Sequence, residues 1–283
     1  MLRLRTPKWV QAHYQIPEDP DEVSPTVYGQ IRRKMQALRP ENPEVSIIII
    51  AYNEEKELLR TLSSLADTDS KYRTQLIVVN NNSTDRTQEI LDKCGVISMM
   101  EKRQGIGWAR QTGLEAAKGK VIVNGDADSI YPAGWSEAMA EPLFQYPDMS
   151  TIYSRYSFIP SRPFPGARIP LRIHEAFASG LFSLRRKHAD PVNVMGFSFA
   201  FRREDSVELG GFQVNAKHRW EDGLMVLALT EKGGIYLVQS DAARVWTSDR
   251  RLMIDGGYRK AFWQRTRKHL GYMPDYLNLK KEV

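Results

Sequence analysis

The chain is poor in cysteine and has no long apolar run. Cys94 is the only cysteine among the 283 residues, which excludes an intramolecular disulfide and a multi-cysteine zinc site. The longest strongly apolar stretch, Val45–Ala51, is far shorter than the ~20 residues that cross a bilayer. The N-terminal residues also lack the apolar core of a signal peptide. These features predict a soluble, cytoplasmic protein with no integral membrane segment.

The composition otherwise suits a globular protein with an uneven charge. Apolar side chains make up 42% of the residues, which is enough for a substantial core and excludes disorder along the whole chain. The formal net charge is +6, and the positive charge is concentrated in residues 151–190 and 244–283. Such basic stretches favour an acidic or phosphate-bearing partner.

Buried strands and amphipathic helices alternate after residue 44. Continuous β-branched runs predict strands at Val45–Ala51, 76–79, 96–100 and 121–123. Leu58, Leu59, Leu62 and Leu65 repeat at helical spacing and predict a helix of about three turns, and further helices are expected after a cap at Ser83 or Thr84 and over 106–118. The later part is more mixed, with strands at 197–201 and 235–238 and a helix over 223–232 entered through Glu221 and Asp222. This order predicts an α/β fold with a mostly parallel central sheet flanked by helices.

Polar clusters follow three of these strands. They are Tyr52-Asn53-Glu54, Asn80-Asn81-Asn82 and Asp126-Ala127-Asp128. Because ligands of parallel sheets gather at the carboxyl ends of the strands, the three clusters are expected to converge. Asp126 and Asp128 can together bind one hard cation, Mn²⁺ or Mg²⁺, through carboxylate oxygens. The alternative is that they only cap the turn before Tyr131.

Five motifs carry a family resemblance. They are VSIIIIAYNEE (45–55), IVVNNNSTDRT (77–87), QGIGWARQTG (104–113), NGDAD (124–128) and WEDGL (220–224). In this order they resemble family 2 of the nucleotide-sugar glycosyltransferases, which have the GT-A fold. The resemblance covers roughly residues 44–250. It implies metal-assisted transfer of a sugar from a nucleoside diphosphate donor, foremost a UDP-sugar, to an acceptor hydroxyl with inversion.

The sequence predicts four parts of the chain, and the resemblance accounts for the middle two. Residues 1–43 are expected to form an irregular arm with one short helix around 27–38. Residues 44–129 would be the nucleotide-sugar-binding half, and 130–250 the mixed acceptor and catalytic half. Residues 251–283 would be a basic C-terminal helix and tail.

Donor-binding roles can be carried over residue by residue. Ala51, Tyr52, Asn53 and Glu54 match the segment that lines the nucleoside pocket in this family. Asn81 matches a position that commonly holds a base-reading aspartate, so an amide replaces a carboxylate here. Gly105 allows close backbone approach, and Arg110 matches an arginine near the base and phosphates. The alternative for Arg110 is a solvated charge on the helix surface.

Catalytic roles follow in the same way. Asp126 and Ala127 match residues near the donor ribose and the metal, and Asp128 matches the direct metal ligand. Asp222 matches the base that takes the proton of the acceptor hydroxyl, and its neighbour Glu221 would orient the acceptor or tune Asp222. The alternative for both is an N-terminal helix carboxylate stabilised by the helix dipole. A third metal ligand is sought among residues 246–251, where Asp249 is a candidate.

The basic stretches bear on the acceptor. One holds Arg155, Arg162, Arg168, Arg172, Arg185, Arg186 and Lys187, and the other mixes cations with aromatic residues over 258–269. Both favour a polyanionic partner, either nucleic acid or an anionic membrane touched peripherally. The alternative is that the aromatic residues pack a C-terminal helix onto the domain while the cations stay solvated. The first hypothesis is a glycan or lipid-linked acceptor, and the second is a hydroxylated base in DNA. A hypothesis of another class is a non-catalytic module that binds nucleotide-sugar or nucleic acid.

Overall fold

The computed structural model describes residues 6–160, 168–169, 171–173, 175–176, 190–214, 221–250 and 260. By contacts the chain forms two compact units. The larger comprises residues 8–156 and 194–246, and the smaller comprises residues 1–7, 157–193 and 247–283. Residues 8–43 belong to the same unit as the central sheet.

A seven-stranded sheet forms the centre of the larger unit. Its strands are β1 (Val45–Ala51), β2 (Thr74–Asn80), β3 (Ile97–Met100), β4 (Val121–Asp126), β6 (Met149–Ser154), β8 (Phe199–Arg202) and β9 (Gly234–Val238). The spatial order is β3-β2-β1-β4-β8-β6-β9. Three shorter strands are β5 (Ser129–Ile130), β7 (Tyr156–Ile159) and β10 (Val245–Ser248), and the boundary between the units falls within β7 and β10.

The sheet is mostly parallel, as the sequence predicts. β1 pairs in parallel with β2 and β4, and β2 with β3, while β8 runs antiparallel to both β4 and β6. Every residue of β2 is buried, and only Ile50 of β1 is partly exposed. Strands covered on both faces by helices need the continuous apolar runs seen at these positions.

Helices cover the sheet. They are α1 (Lys8–Tyr14), α2 (Pro25–Met35), α3 (Leu58–Leu65), α4 (Thr87–Cys94), α5 (Ile106–Ala116), α6 (Trp135–Gln145), α7 (Arg203–Glu208) and α8 (Glu221–Leu229). α5 packs on β1 and β2, and α6 on β4, β6 and β8. No helix in the described part of the chain is long and apolar enough to cross a bilayer.

The N-terminal arm is more regular than expected. It contains α1 and α2, not one short helix, and Val10, Tyr28, Ile31 and Met35 are buried. α1 packs against α3, and α2 against α4. Five prolines before Pro43 suggested an irregular segment. Pro25, however, lies in the first turn of α2, where its missing N–H costs nothing.

The expected cap of α4 at Ser83 or Thr84 is wrong. α4 begins at Thr87 because the two earlier residues bond to the loop after β1. Ser83 Oγ accepts the Asn53 N–H at 3.0 Å, and the Thr84 N–H donates to Asn53 Oδ1 at 2.8 Å. Asp85 Oδ1 instead accepts the Thr87 N–H at 2.9 Å. These side chains therefore tie two loops together before the helix starts.

The smaller unit is held by its own bonds. Glu175 accepts the Phe158 N–H at 2.8 Å and pairs with Arg168 at 3.0 Å. The Asp249 N–H donates to the Ile159 carbonyl at 3.1 Å, and Asp249 is buried. Arg162, Arg185, Arg186 and Lys187 lie outside the described residues, as does the stretch 258–269 apart from Lys260.

Candidate active site

The three polar clusters meet at one edge of the sheet, as predicted. Ala51 lies opposite Asn80 in the β1–β2 register, and Ile50 lies opposite Asp126 in the β1–β4 register. The Asn81 N–H donates to the Ala51 carbonyl at 2.8 Å. The carboxyl ends of β1, β2 and β4 thus bring the loops 51–54, 80–84 and 126–128 side by side.

The loops after β1 and β2 are bonded to each other around Asn53. Asn53 adopts a left-handed conformation with φ of 52°, which asparagine tolerates better than most residues. The Glu54 N–H donates to Thr87 Oγ1 at 2.9 Å, and Glu54 is buried. Tyr52, between the buried Ala51 and Asn53, is 50% exposed. The first loop is therefore fixed by its backbone and presents the Tyr52 side chain to solvent.

Asn81 closes the loop between β3 and α5. Its amide nitrogen donates to the carbonyls of Glu101 (3.2 Å) and Arg103 (2.7 Å), and its Oδ1 accepts the Gly105 N–H at 2.9 Å. Both amide hydrogens are therefore used inside the protein. Gly105 precedes α5 with φ of 144°, a conformation that favours glycine. The side chain that matches a base-reading position thus holds the entry to α5.

Glu101 and Arg103 form a second brace of this loop. The Glu101 carboxylate accepts the Arg103 N–H and Nε–H at 2.7 and 2.9 Å, and the Thr112 hydroxyl at 2.5 Å. These bonds, with Arg103 the largest contributor, lower the pKa of Glu101 to about 2. The Arg103 guanidinium lies 3.6 Å from the centre of the Trp108 ring. The loop 101–105 is thereby tied to α5 on two sides.

Arg110 is the centre of the second part of the site. Its side chain is fully buried. Nε donates to Asp222 Oδ1 at 3.2 Å, and Nη2 donates to Asp126 Oδ1 at 3.0 Å and to the Gly196 carbonyl at 2.6 Å. Nη1 donates to the Gly125 carbonyl at 2.9 Å and to Asn124 Oδ1 at 3.4 Å. One guanidinium thus joins Asp126 at the end of β4 to Asp222 in the first turn of α8.

Asp222 is a carboxylate with a raised pKa. Burial is the main cause, the charges of Asp126 and Glu221 raise the pKa further, and Arg110 opposes them. About 20% of its side chain is still exposed. Glu221, beside it in the same turn, lies against Gly107 of α5, where an added Cβ would come within 3.3 Å of Glu221 Cγ. Both acids occupy the positive end of a helix dipole.

Tyr131 fixes the backbone of the aspartate turn. Its hydroxyl accepts the Asp126 N–H at 2.8 Å and lies 3.0 Å from the Asp126 carbonyl. Burial raises the pKa of Tyr131 well above its ordinary value, so it stays a neutral donor. A Cβ at Gly125 would overlap this hydroxyl and Ile49, which explains the glycine in the strand. The Ala127 carbonyl accepts the Thr61 hydroxyl at 2.8 Å.

Asp128 lies in the same turn. It is buried, and the Ser129 hydroxyl lies 3.5 Å from its Oδ1. Asp126 keeps 19% of its side chain exposed. Within the described ranges, no group of three histidine, cysteine, aspartate or glutamate side chains is arranged to hold a metal ion by itself. The two aspartates can thus supply only part of a coordination shell.

Three contributors to this site were not predicted. Tyr131 was expected only as the residue after a turn, and Asn124 appeared in a motif without a role. Gly196 was not among the predicted site residues, and local sequence pattern does not encode its contact with Arg110, which joins residues 86 positions apart. Asn124 is fully buried, and its amide nitrogen has no hydrogen-bond partner among the described residues.

The family is identified by a profile match. The sequence profile described as Glycosyl transferase family 2 matches residues 46–209, more than half of the chain. The chain belongs to glycosyl transferase family 2. The predictions of the family and of an enzyme of the glycosyltransferase class are therefore confirmed at the level of the family.

Two sequence relatives align with part of this family 2 chain. An uncharacterized protein of Methanocaldococcus jannaschii is 35% identical over 112 residues, which is 38% of this chain and 45% of that protein. An uncharacterized glycosyltransferase of Mycobacterium tuberculosis is 28% identical over 166 residues, 59% of this chain and 71% of the relative. The first match thus spans less than half of the relative's length.

Solved structures share the GT-A fold with this family 2 chain. Glucosyl-3-phosphoglycerate synthase of Mycobacterium tuberculosis, solved with Mn²⁺ and UDP-glucose, has a TM-score of 0.50 at 22% identity and covers 75% of this chain and 72% of its own. S. aureus TarS with UDP-GlcNAc has a TM-score of 0.56 at 19% identity, covering 72% and 58%. A Pyrobaculum calidifontis mannosyltransferase with GDP-Man and Mn²⁺ reaches 0.52 at 18% identity, covering 92% and 74%. The predicted fold class is confirmed.

Proposed function

We propose that this family 2 chain transfers a sugar from a nucleoside diphosphate sugar, foremost a UDP-sugar, to an acceptor hydroxyl with inversion at the sugar carbon. The observation that carries the proposal is the contact of Asp126 and Asp222 with one buried guanidinium. The two acids come from different elements. The reaction needs a carboxylate that binds the metal on the diphosphate side of the sugar and a proton acceptor on the opposite side. Structural neighbours that bind UDP-sugars or GDP-mannose add support for the donor class.

Asp126 and Asp128 would hold a divalent cation, Mn²⁺ or Mg²⁺. The fit rests on the donor set, since both are carboxylates in one turn and Asp126 keeps part of its side chain exposed. Two protein carboxylates would suffice for a cation that also binds oxygens of a diphosphate. Such a cation stabilises the negative charge that grows on a departing diphosphate, by several kcal/mol.

Asp222 would act as the base. An inverting transfer needs a proton acceptor on the side of the sugar opposite the diphosphate. The raised pKa of Asp222 suits this task because a more basic carboxylate takes the hydroxyl proton more readily. Glu221 would orient the acceptor, and its negative charge also contributes to the raised pKa of Asp222.

The loops 51–54 and 80–81 would bind the nucleoside, together with the backbone at Gly105. Ala51, Tyr52, Asn53 and Glu54 follow β1, and Tyr52 offers an exposed ring against which a base can stack. Asn81 would act mainly through the backbone it holds, because both of its amide hydrogens donate to carbonyls of the loop 101–105.

For the acceptor we propose a glycan or a lipid-linked hydroxyl. The net charge of residues 151–190 and 244–283 supports an anionic acceptor or an anionic membrane surface beside it. Retention of the protein on phosphatidylglycerol vesicles, weakened by salt, is expected. Transfer to duplex DNA that contains hydroxymethylated bases, with no transfer to glycan or lipid acceptors, would replace this part of the proposal.

The donor reaction is tested by release of nucleoside diphosphate. Purified protein with Mn²⁺ is incubated with UDP-glucose, UDP-GlcNAc, UDP-galactose or GDP-mannose, and release of UDP or GDP is measured. Release is expected with at least one donor and should stop when EDTA removes the metal. Asp128→Asn should lose at least about 100-fold in rate, whereas Asp92→Asn on the exposed face of α4 should not. No release from any donor, together with Mn²⁺-independent UDP binding by both variants, would contradict the proposal.

A further inference from the structure

The guanidinium of Arg110 is saturated by protein acceptors. Arginine has five N–H donors, and the five contacts of Arg110 go to two carboxylates, one amide oxygen and two backbone carbonyls. The side chain is fully buried. A phosphate or a nucleobase could contact it only by displacing one of these acceptors.

The acceptors belong to parts of the chain that are far apart in sequence. Asp126 lies 16 positions from Arg110, Gly196 lies 86 positions away and Asp222 lies 112 positions away. They sit on the end of β4, on the segment before β8 and in the first turn of α8. Arg110 lies on α5, which packs on β1 and β2. Through its hydrogen bonds, this one helix holds the three segments in position relative to each other.

The fork geometry of arginine matches this arrangement. Two carboxylates close enough to share a guanidinium repel each other when both are ionised, and the cation between them offsets that repulsion. Lysine presents one point charge with three donors and cannot reproduce a planar fork with five contacts. The planar shape of the Arg110 guanidinium, in addition to its charge, therefore determines the relative positions of Asp126 and Asp222.

Gly196 fits the same assembly tightly. An added Cβ would overlap Asp222 Oδ2 and would lie 3.1 Å from Arg110 Nη2. The centre of the Phe199 ring lies 5.7 Å from the guanidinium carbon of Arg110. The carboxylate of Asp222 is thus confined between Arg110 and the backbone at Gly196.

We propose that Arg110 is a positioning residue that fixes the base Asp222 relative to Asp126, and that it does not contact the nucleotide. The inference rests on the proposed function, since it concerns the geometry of the two acids that the transfer uses. The inference predicts that replacing Arg110 affects the rate of the chemical step and leaves nucleotide binding unchanged. Loss of the arginine fork misplaces the base and slows the chemical step, while the nucleoside diphosphate still binds.

The first test compares binding with turnover in Arg110→Lys. UDP affinity is measured by calorimetry with Mn²⁺ present, and kcat is measured with the donor and acceptor that the wild type uses. We expect UDP affinity within about threefold of the wild type and a fall in kcat of about 100-fold or more. A fall in UDP affinity with kcat kept would assign Arg110 to the nucleotide and overturn the inference. Unchanged affinity and unchanged kcat would overturn it too.

Arg73→Lys is the matched control. Arg73 is an exposed arginine whose ion pair with Glu44 measures 3.6 Å, and its replacement should change neither quantity. Absence of turnover in the wild type would overturn the proposed function and with it this inference. That outcome is read from the wild-type protein alone, so it cannot be confused with a failure of the variant.

A second variant serves if Arg110→Lys does not fold. Gly196→Ala keeps every charge and every donor, and Gly196 lies outside the left-handed region, so its backbone accepts alanine. The added methyl group would push Asp222 away from Nε of Arg110. We expect kcat to fall at least about tenfold with UDP affinity kept. Gly196→Ala with the kcat of the wild type would overturn the inference.

Discussion

At the scale of single residues, Asn81 makes bonds that an aspartate in its place could not make. Its amide nitrogen donates to two backbone carbonyls, and its oxygen accepts the Gly105 N–H. A carboxylate could keep the last bond but would face the two carbonyl oxygens with like partial charge. The residue that departs from the family pattern is therefore suited to bracing the loop before α5.

We expect Asn81→Asp to destabilise the protein by about 1–3 kcal/mol, because a buried site loses two donors and gains a charge. The KM for the donor should rise, since the loop 101–105 borders the proposed nucleoside site. Urea unfolding and initial rates measure the two effects. Asn82→Asp is the matched control, because it adds the same charge at an exposed neighbouring position that is already in the left-handed region. Equal effects of the two variants would contradict the assigned role.

The raised pKa of Asp222 predicts the pH dependence of the reaction. A base must be ionised, so kcat/KM should fall as the pH drops through the pKa of Asp222. Burial, Asp126 and Glu221 raise that pKa above the ordinary 3.8, against the opposing charge of Arg110. The acidic limb should therefore lie at a higher pH than for an exposed aspartate.

Asp222→Asn should remove this limb and lower kcat by about 10²–10⁴-fold. The measurement is kcat/KM against pH for both proteins, with Asp92→Asn as a control that should keep the wild-type profile. An unchanged acidic limb in Asp222→Asn would show that another group is the base.

At the scale of elements, the close packing of α5 on β1 and β2 determines the position of Arg110. Gly113 faces β1 and β2, and a Cβ there would overlap the Ile48 side chain and lie 3.3 Å from Val79 Cγ2. Gly29, also inside a helix, is exposed, and a Cβ added there would meet no atom of the described residues within 4 Å. The same substitution therefore has opposite expected effects in α5 and α2.

We expect Gly113→Ala to destabilise the protein by about 1–3 kcal/mol through overpacking. Gly29→Ala should stabilise it by about 0.5–1 kcal/mol, because alanine is the better helix former and has room. The free energy of unfolding in urea measures both. A neutral or stabilising Gly113→Ala would mean that α5 does not need this close contact with the sheet.

Helices and strands could be predicted where the periodicity of apolar residues along the sequence is strong. Val45–Ala51 is a strand over the residues expected, and α5 begins at Ile106 as expected. The start of α4 was missed because Ser83 and Thr84 bond across to Asn53, a partner about 30 positions away that local pattern does not encode. Helix propensity and capping rules count only local partners.

The candidate site divides in the same way. The convergence of the loops after β1, β2 and β4 follows from parallel topology and could be predicted. The contacts of Arg110 could not, because helical spacing says which face a residue is on and nothing about acceptors at Gly196 and Asp222. The family resemblance identified Asp126 and Asp222 as site residues. It assigned Arg110, which joins them, to the base and phosphates of the donor instead.

At the scale of the whole larger unit, the N-terminal arm shares the core of the sheet. Ile31 of α2 belongs to the same buried apolar cluster as Val45, Ile47 and Ile49 of β1. Arg60 of α3 donates to the Ile16 carbonyl at 2.8 Å, and its guanidinium lies 4.4 Å from the centre of the Tyr14 ring. A segment held this way should unfold together with the sheet.

Ile31→Ala tests this cooperativity. Removing a buried isoleucine side chain should cost about 2–5 kcal/mol. Native-state hydrogen exchange is the measurement, because it reports the opening free energy of each segment. If the arm and the sheet open as one unit, the opening free energies of the most protected amides in α2 and in β1 should fall by the same amount. Gln30→Ala, at an exposed position of α2, should change either value by less than about 0.5 kcal/mol. A fall in α2 with β1 unchanged would mean that residues 8–43 form a separately unfolding layer, and the arm would then not support the sheet that carries Asp126.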